Sequence, residues 1–500
     1  MDLLGPPPTR LPAARAANAV FALLQFRRLV IRGELPPPLF RGTLPTCSAQ
    51  YERLFNTSRL PGEKRDRLWH GGGGGHVAAL YGGRLFRVPV MRGGRPLRPR
   101  ELQSQFQKVL EEGGPPLDPQ EALGVLTAGE RPPWARVRAA LGRGRALRAM
   151  DEAPFIVAFD PPGVPPEPEE PPGDGHLEAE ARALLHGPWH NRWFDKSFTL
   201  IVFSSGRLGV NAEQSWGDPP VLGHLWEYTL ATEALELRYE SSGDCRGGEE
   251  PGIPPPQCLD WEIPPESRRA LSGALETAQV LSDDLELHVF TFVPPPGSPQ
   301  ISDALVQLAL QLALVRERGP CLSYEPVPTR LFQEGRTEGV RGCGPPILAL
   351  VAAMGDPETR AGRRRALLRA ALRHQRAQLR AALTGAGLER HLQALEATAA
   401  ARGQRDPFLQ EVLGHPWALA SSPAPRADPP LLPPSLHLAG GGFGPPHRDA
   451  YGVSFARGGD SAIIFHISCS ATSACTDARG FAGKIRTALG ELGELGWGEE

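Results

Sequence analysis

Five hundred residues suffice for two domains of ordinary size around apolar cores, so folding needs neither disulfide staples nor a structural metal. The 54 basic and 56 acidic side chains leave a formal net charge of −2, which argues against a nucleic-acid binder working by bulk electrostatics. Seven cysteines, at 47, 245, 258, 321, 343, 469 and 475, form no C-x-x-C pair, and this odd, scattered set suits buried free thiols in a reduced compartment.

In chain order, Leu11 to Arg32 has helical spacing, with Phe21, Leu24, Phe26 and Leu29 expected on its core-facing side. Tyr51 to Glu63 closes on a Leu-Pro-Gly turn signal. Gly71 to Gly75 is unbroken glycine and reads as a loop, and His76 to Val90 has hairpin character around Gly82-Gly83. Arg136 to Ala149 reads as a helix, and Gly142 to Arg145 lacks the strand and helix that a nucleotide fingerprint requires. Pro161 to Gly175 is proline-rich and acidic, a composition that predicts a solvated loop.

The stretch from Asn191 to Tyr228 organises the chain. An apolar strand (Phe198 to Phe203), a Ser-Ser-Gly turn and a short strand (Leu208 to Val210) lead into a polar corner at Asn211 to Asp218. A helix should follow, because Asp218 suits the N-cap and Pro219 and Pro220 are tolerated in a first turn. Further on, Pro251 to Pro256 marks the expected boundary between domains 1–256 and 257–500. A helix is expected from Pro265 to Ala278. Ala304 to Val315 falls short of the ~18 apolar residues a membrane helix needs and is interrupted by Gln307 and Gln311, so it reads as a core helix. Thr359 to Leu383 predicts a long basic amphipathic helix with Leu367, Leu368, Leu372, Leu379 and Leu383 inward and its arginines solvated. The thirteen histidines include no H-E-x-x-H and no zinc-like spacing with cysteine, so no metal site is expected.

RWFDKS (Arg192 to Ser197), the N-A-E-x-S-W-x-D corner (Asn211 to Asp218) and HLWEY (His224 to Tyr228) closely resemble the choline/carnitine acyltransferase family, nearest its long-chain carnitine branch. The segments Leu11 to Arg28, Thr43 to Glu63 and Leu126 to Arg136 are similar to it as well, so the resemblance covers nearly the whole chain. It implies a two-domain α/β fold of the chloramphenicol acetyltransferase-like kind, two mixed sheets flanked by helices with an active-site tunnel between them. It also implies transfer of long-chain acyl groups between CoA and carnitine by direct attack, without metal or covalent intermediate. Carnitine and acyl-CoA are then substrates, no cofactor and no nucleic acid is expected, and the implied location is the cytosolic face of the mitochondrial outer membrane. The matching segments lie well inside the family's first domain, so the chain is expected to begin late, without the membrane helices that precede this region in outer-membrane members. As written it reads as soluble.

The resemblance also assigns residues. Family members place a general-base histidine after Ala-Glu, where this chain has Gln214; a carboxamide cannot accept the proton that imidazole takes near neutral pH. Asp218 matches the acidic residue that orients that imidazole. His224 is no substitute, since relatives with the usual histidine have one here too. Tyr324 in CLSYE, Thr337 in GRTE and Arg390 in LERHL match the residues that hold the carnitine carboxylate, and the choline branch lacks the Thr and Arg. Ala420, Ser421 and Ser422 stand where the family has Ser-Thr-Ser facing the reacting centre, so Ser421 and Ser422 are expected in the carnitine site. Gly440, Gly441 and Gly442 match an acyl-tunnel floor. Asp303 remains of the CoA site, but the loop 294–302 before it carries none of the family's lysines. Two readings follow, an acyltransferase with an impaired site and a non-catalytic protein that binds carnitine or acyl chains.

Overall fold

Alanine, more than the expected large apolar residues, buries the first helix. In the computed structural model, which describes residues 1–142, 144–165, 173–261, 263–298, 300–427, 430–458 and 462–496, α1 (Pro12–Arg32) starts with proline in its first turn and ends where Gly33 takes φ +66°. Leu24 and Phe26 are buried as expected, but Phe21 and Leu29 are only half-buried, and Ala13, Ala14, Ala16, Ala17, Ala19 and Ala22 make up half of the twelve buried residues. Side chains this small let neighbouring elements approach α1 from most directions.

The chain divides into two compact units. The first comprises Met1–Thr43, Ser48–Asp283 and Pro425–Ala439. After α1 it contains α2 (Ala49–Glu52), β1 (His76–Tyr81), β2 (Arg84–Pro89), α3 (Pro99–Glu112), α4 (Arg131–Leu141), α5 (Arg145–Glu152) and β3 (Ile156–Phe159). Then come α6 (Asp174–Leu185), β4 (Phe198–Val202), β5 (Leu208–Ala212), α7 (Pro219–Leu235), β6 (Gln257–Leu259) and α8 (Arg268–Asp283). The β1–β2 hairpin turns on Gly82 and Gly83 at φ +58° and +80°, the left-handed pair that a tight hairpin favours. The single helix expected over 136–149 is two helices, because Gly142 ends α4 at φ +59°. The sheet order is β5-β4-β3-β1-β2-β6, with pairings antiparallel, parallel, parallel, antiparallel and antiparallel. Phe26, Phe86, Phe106, Phe155 and Phe198 belong to the core of this unit, each side chain contributing about 1.5–3 kcal/mol by burial.

Pro251 to Pro256, the expected boundary, lies inside this unit. Beyond it the chain still adds β6 to the sheet, and α8 packs onto the 3-10 turn Leu123–Thr127. Gly129 shows how close that packing is, since a Cβ there would stand 2.7 Å from Ala274 Cβ.

The second unit comprises Leu44–Cys47, Asp284–Ala424 and Gly440–Glu500. It contains β7 (Leu285–Phe292), α9 (Asp303–Arg318), β8 (Leu322–Pro328), β9 (Thr337–Arg341), α10 (Pro345–Gly355) and α11 (Ala361–Leu383). α12 (Glu389–Ala401), α13 (Pro407–Gly414), β10 (Trp417–Pro423), β11 (Tyr451–Arg457), β12 (Ile463–Ser470) and α14 (Ala478–Glu494) complete it. Counted from β9, the sheet runs β9-β8-β10-β11-β12-β7 with pairings antiparallel, parallel, parallel, antiparallel and antiparallel. Counted from β5, the first sheet has the same succession. The fold is α/β, and one six-strand pairing pattern is built twice.

α9 is the expected core helix, capped by Ser302, whose hydroxyl accepts from Leu305 N–H at 3.3 Å. Its two polar interruptions are buried and tied to the sheet: Gln311 Nε2 donates to Ser323 Oγ, and Gln307 Oε1 accepts from Ser421 Oγ, both at 2.8 Å. α11 buries Leu368 and Leu372 and leaves Arg365, Arg369, Arg373, Arg376 and Arg380 exposed, the solvated face its pattern predicts. All seven cysteines are unpaired, but only Cys245 and Cys469 are buried, so the expected burial holds for two of them. The middle of the proline-rich insert, 166–172, lies outside the described residues. Among the described residues no helix is long and apolar enough to cross a membrane.

Candidate functional site

The polar corner of the first unit is assembled by its edge hairpin. β4 and β5 pair from Phe198↔Ala212 to Val202↔Leu208, joined by a turn in which Gly206 takes φ +84° against Thr9 O. Beyond β5 the chain bends. Glu213 N–H donates to Ser197 O at 3.1 Å, and the Glu213 carboxylate accepts from Arg59 Nη1 at 3.3 Å and from Ser215 N–H at 2.8 Å. Trp216 turns inward and donates from its indole to Ser197 O at 3.0 Å. Gln214, between these two anchors, is exposed.

Asp218 stands at the N-cap position of α7 but makes no side-chain bond to that helix's first turn. Gln50 on α2 holds it instead: Gln50 Nε2 donates to Asp218 Oδ2, and Asp218 N–H donates to Gln50 Oε1, each at 2.8 Å. Asp218 is 5% exposed. His224, six residues further along α7, meets Tyr51 Oη through Nδ1 at 2.7 Å and stands edge-on to Phe26.

The neighbouring motif residues form the frame. Arg192 and Asp160 make a buried bidentate pair at 2.6 Å, and Asp195 accepts from Arg131 Nη1 and the Trp134 indole, both at 2.7 Å. Lys196 lies wholly inside, its ammonium directed at Ser58 Oγ and the carbonyls of Met150 and Asp151, and burial pulls it down to about 7. Glu227 accepts from the backbone N–H of Ala427 at 2.7 Å, Leu431 at 2.7 Å and Leu432 at 3.1 Å, which ties the 425–439 segment into the first unit.

The edge hairpin of the second unit carries the other constellation. Register sets Tyr324 opposite Arg341 and Pro328 opposite Thr337. The first turn of α12 brings Arg390 to this edge, where Nε donates to Thr337 O at 2.7 Å and Nη2 to Thr337 Oγ1 at 3.0 Å. Nη2 also reaches Tyr324 Oη at 3.4 Å, a long contact, and Arg390 N–H donates to Glu338 Oε1 at 3.1 Å. Tyr324, Thr337 and Arg390 are therefore brought together, and they present a planar cation and two hydroxyls at one place. Such a set is suited to bind a carboxylate in two-pronged fashion.

The two serines of β10 part company. Ser421 is buried and donates to Gln307 on α9, on the sheet face where Ser323 meets Gln311 and Glu325 meets Gln375. Ala420 is the register partner of Tyr324, so strand alternation puts Ser422 on the Tyr324 face and Ser421 on the other. Ser421, expected in the binding site, is a helix-facing residue here. Burial lifts Glu325, on that same face, to about 7.

Gly440 and Gly442 are small for a local reason: a Cβ would stand 2.9 Å from His466 Nε2 at the first and 3.2 Å from His466 Cβ at the second. Gly441 has open space before it. Asp303, in the first turn of α9, pairs with Arg457 at 3.1 Å. Of the loop 294–302, residue 299 lies outside the described residues.

Gln50, Arg341, Glu389 and Trp417 went unnoticed in the sequence. Arg341 had a signal, since counting register back along the β8–β9 hairpin sets it opposite Tyr324; Gln50 had none.

A family model described as choline/carnitine O-acyltransferase matches residues 5–487. Carnitine O-palmitoyltransferase 1, muscle isoform, of Homo sapiens is 42% identical over 99% of this chain and 66% of its own length. The liver isoform of Homo sapiens is 41% identical over 98% of this chain and 65% of its own. Carnitine O-acetyltransferase of Rattus norvegicus is 27% identical over 96% and 76%. The chain thus spans slightly less than two thirds of either palmitoyltransferase isoform. Among solved structures, the epimerization domain from the third module of tyrocidine synthetase B is similar at a TM-score of 0.33 and 10% identity over 69% of this chain and 82% of that one, too low for any correspondence of sites.

Proposed function

The chain belongs to the choline/carnitine O-acyltransferase family, and from that premise we propose that it binds carnitine by its carboxylate and transfers long-chain acyl groups between CoA and carnitine only slowly. The single observation that carries the reading is the hydrogen-bonded group of Tyr324, Thr337 and Arg390. Carnitine offers a carboxylate to that group and a hydroxyl to the reaction. The hydroxyl oxygen attacks the thioester carbonyl, its proton must be accepted as the C–O bond forms, and the CoA sulfur leaves and takes up a proton.

Arg390 and Thr337 orient the alcohol, and Ser422, on the Tyr324 face, is the hydroxyl suited to donate to the oxyanion. Gln214 is where the proton has to go, and a carboxamide does not take it at neutral pH. Loss of a positioned base typically costs about 10²–10⁴ in rate while binding survives. Gly441 is the tunnel glycine with room before it. Asp303 marks the approach to CoA, but the lysine-free loop 294–302 offers the phosphates no cation. The mitochondrial outer-membrane location belongs to this reading through the resemblance alone.

A second reading, a non-catalytic protein that binds carnitine or acyl chains, is favoured by the same glutamine and the same loop. Calorimetry separates the parts. Carnitine is expected to give heat that Arg390→Ala abolishes and that Arg390→Lys does not restore, since ammonium lacks the planar fork. An unchanged isotherm for Arg390→Ala would remove the carnitine assignment. Acylcarnitine formation from long-chain acyl-CoA, at a rate above the uncatalysed background, distinguishes the slow enzyme from the binder.

A further inference from the structure

The contacts around Arg390 form a closed circuit that reaches beyond the three residues assigned to carboxylate recognition. Glu389, the residue before it, is 3% exposed, and both its carboxylate oxygens are engaged. Oε2 accepts from Arg341 Nε at 2.9 Å and Oε1 from Gln393 Nε2 at 3.2 Å. Gln393 turns the other end of its amide to Arg390, accepting from Nη1 at 2.6 Å. On the far side the Arg341 guanidinium lies 5.4 Å from the Trp417 ring, and that ring meets Tyr324 edge-on at 5.3 Å. Tyr324 returns to Arg390 and closes the circuit. Gly339 sits inside it, where a Cβ would stand 2.6 Å from Tyr324 Cε2 and 3.0 Å from Glu389 Cγ.

We infer that Glu389, locked by Arg341, is a positioning residue that sets the guanidinium plane of Arg390 and thereby fixes a preference for carboxylate-bearing ligands over choline; this rests on the carnitine reading above. A buried carboxylate next to a site for another carboxylate repels the ligand unless its own charge is neutralised. Arg341 supplies that neutralisation and leaves Oε1 to orient Gln393. With Nη1 held by Gln393 and Nε by the Thr337 carbonyl, the long arginine side chain is ordered before ligand arrives, so less rotamer freedom is lost on binding. Placement in the first turn of α12 also suits a negative charge, because the helix dipole is positive there.

The test uses the full chain, wild type, Glu389→Gln and Gln393→Ala. Carnitine and choline are titrated by calorimetry, and the reaction of Arg390 with phenylglyoxal is followed by peptide mass spectrometry without ligand. Glu389→Gln is expected to raise the carnitine Kd about tenfold, the equivalent of one charge-assisted hydrogen bond, to leave choline unchanged and to label Arg390 faster. Glu389→Asp restores part of the difference. Gln393→Ala keeps the Arg341 pair, and so tests the same inference if Glu389→Gln does not fold; it too should speed labelling. Equal weakening of carnitine and choline with unchanged labelling would mean a purely structural residue and would overturn the inference. If the wild type gives no carnitine heat and labelling still accelerates in the variants, the positioning role stands and the carnitine reading falls. If carnitine binds but neither the Kd ratio nor the labelling responds, the positioning role falls and the carnitine reading stands.

Discussion

Asp218 and Gln50, 168 residues apart in the chain, exchange two hydrogen bonds of 2.8 Å, one from the glutamine side chain to the carboxylate and one from the Asp218 backbone to the amide oxygen. The Asp218 carboxylate is therefore fixed by α2. Gln50→Ala removes both bonds and is expected to lower unfolding stability by about 1–3 kcal/mol. Urea melts measure it, and an unchanged midpoint would show that the pair contributes nothing to the fold.

Gln214→His restores an imidazole to the exposed corner beside an anchored acid. A positioned base contributes about 10²–10⁴ in rate, but on the proposed function the gain should stay below about tenfold at micromolar acyl-CoA, because the loop 294–302 holds no lysine or arginine for the CoA phosphates. Stopped assays of acylcarnitine at increasing acyl-CoA should show the rate still climbing at the highest concentration. Full recovery with saturation in the micromolar range would mean that CoA phosphates find other partners.

Glu227 is 3% exposed and accepts three backbone N–H groups of the 425–439 segment. Truncation to alanine leaves those donors without their charged acceptor, at a cost of about 3 kcal/mol or more. Limited proteolysis should then cut first within Pro425–Ala439. Cleavage at the wild-type sites and rates would contradict this anchoring role.

Burial raises the Glu325 carboxyl from the ordinary 4.5 of a glutamate to about 7, with Gln375 Nε2 donating to Oε2 at 2.5 Å as the weaker, opposing influence. A raised carboxyl means that the folded state holds its proton more tightly than the unfolded chain. Its contribution is fully present below about pH 4.5 and is lost as pH rises through about 7. Glu325→Gln, always neutral and still able to accept from Gln375, should be more stable than the parent at pH 8, by up to about 3 kcal/mol, with the gap closing towards pH 4.5. Thermal melts across that range test the sign. A gap independent of pH would place the titration elsewhere.

Much of the local structure was legible without coordinates. Glycine pairs announced the β1–β2 hairpin, apolar spacing announced α1, α9 and α11, and Asp-Pro-Pro announced the start of α7. Alternation along a strand also separates Ser421 from Ser422, but nothing local says which face meets α9. What stayed hidden shares a cause. The crowding of Gly440 and Gly442 by His466 leaves no trace in the neighbouring sequence. The boundary at 256 was placed on composition, whereas α8 stays with the first unit through its fit against Gly129.

The sequence by itself determined the family, a glutamine at position 214 and the residue types that suit a carboxylate, and the two-sheet α/β layout came with the family resemblance. Motif identity, short-range periods and turn chemistry are all written within a few residues of each other. Only the tertiary structure decided that Gln50 holds Asp218, that Ser421 turns to a helix, and that Glu389, Gln393, Arg341 and Trp417 surround Arg390. Gln393 meets Glu389 and Arg390 within one helix, but the contacts of Gln50 with Asp218, Ser421 with Gln307 and Arg341 with Glu389 join side chains distant along the chain, and their selection rests on packing and buried charge.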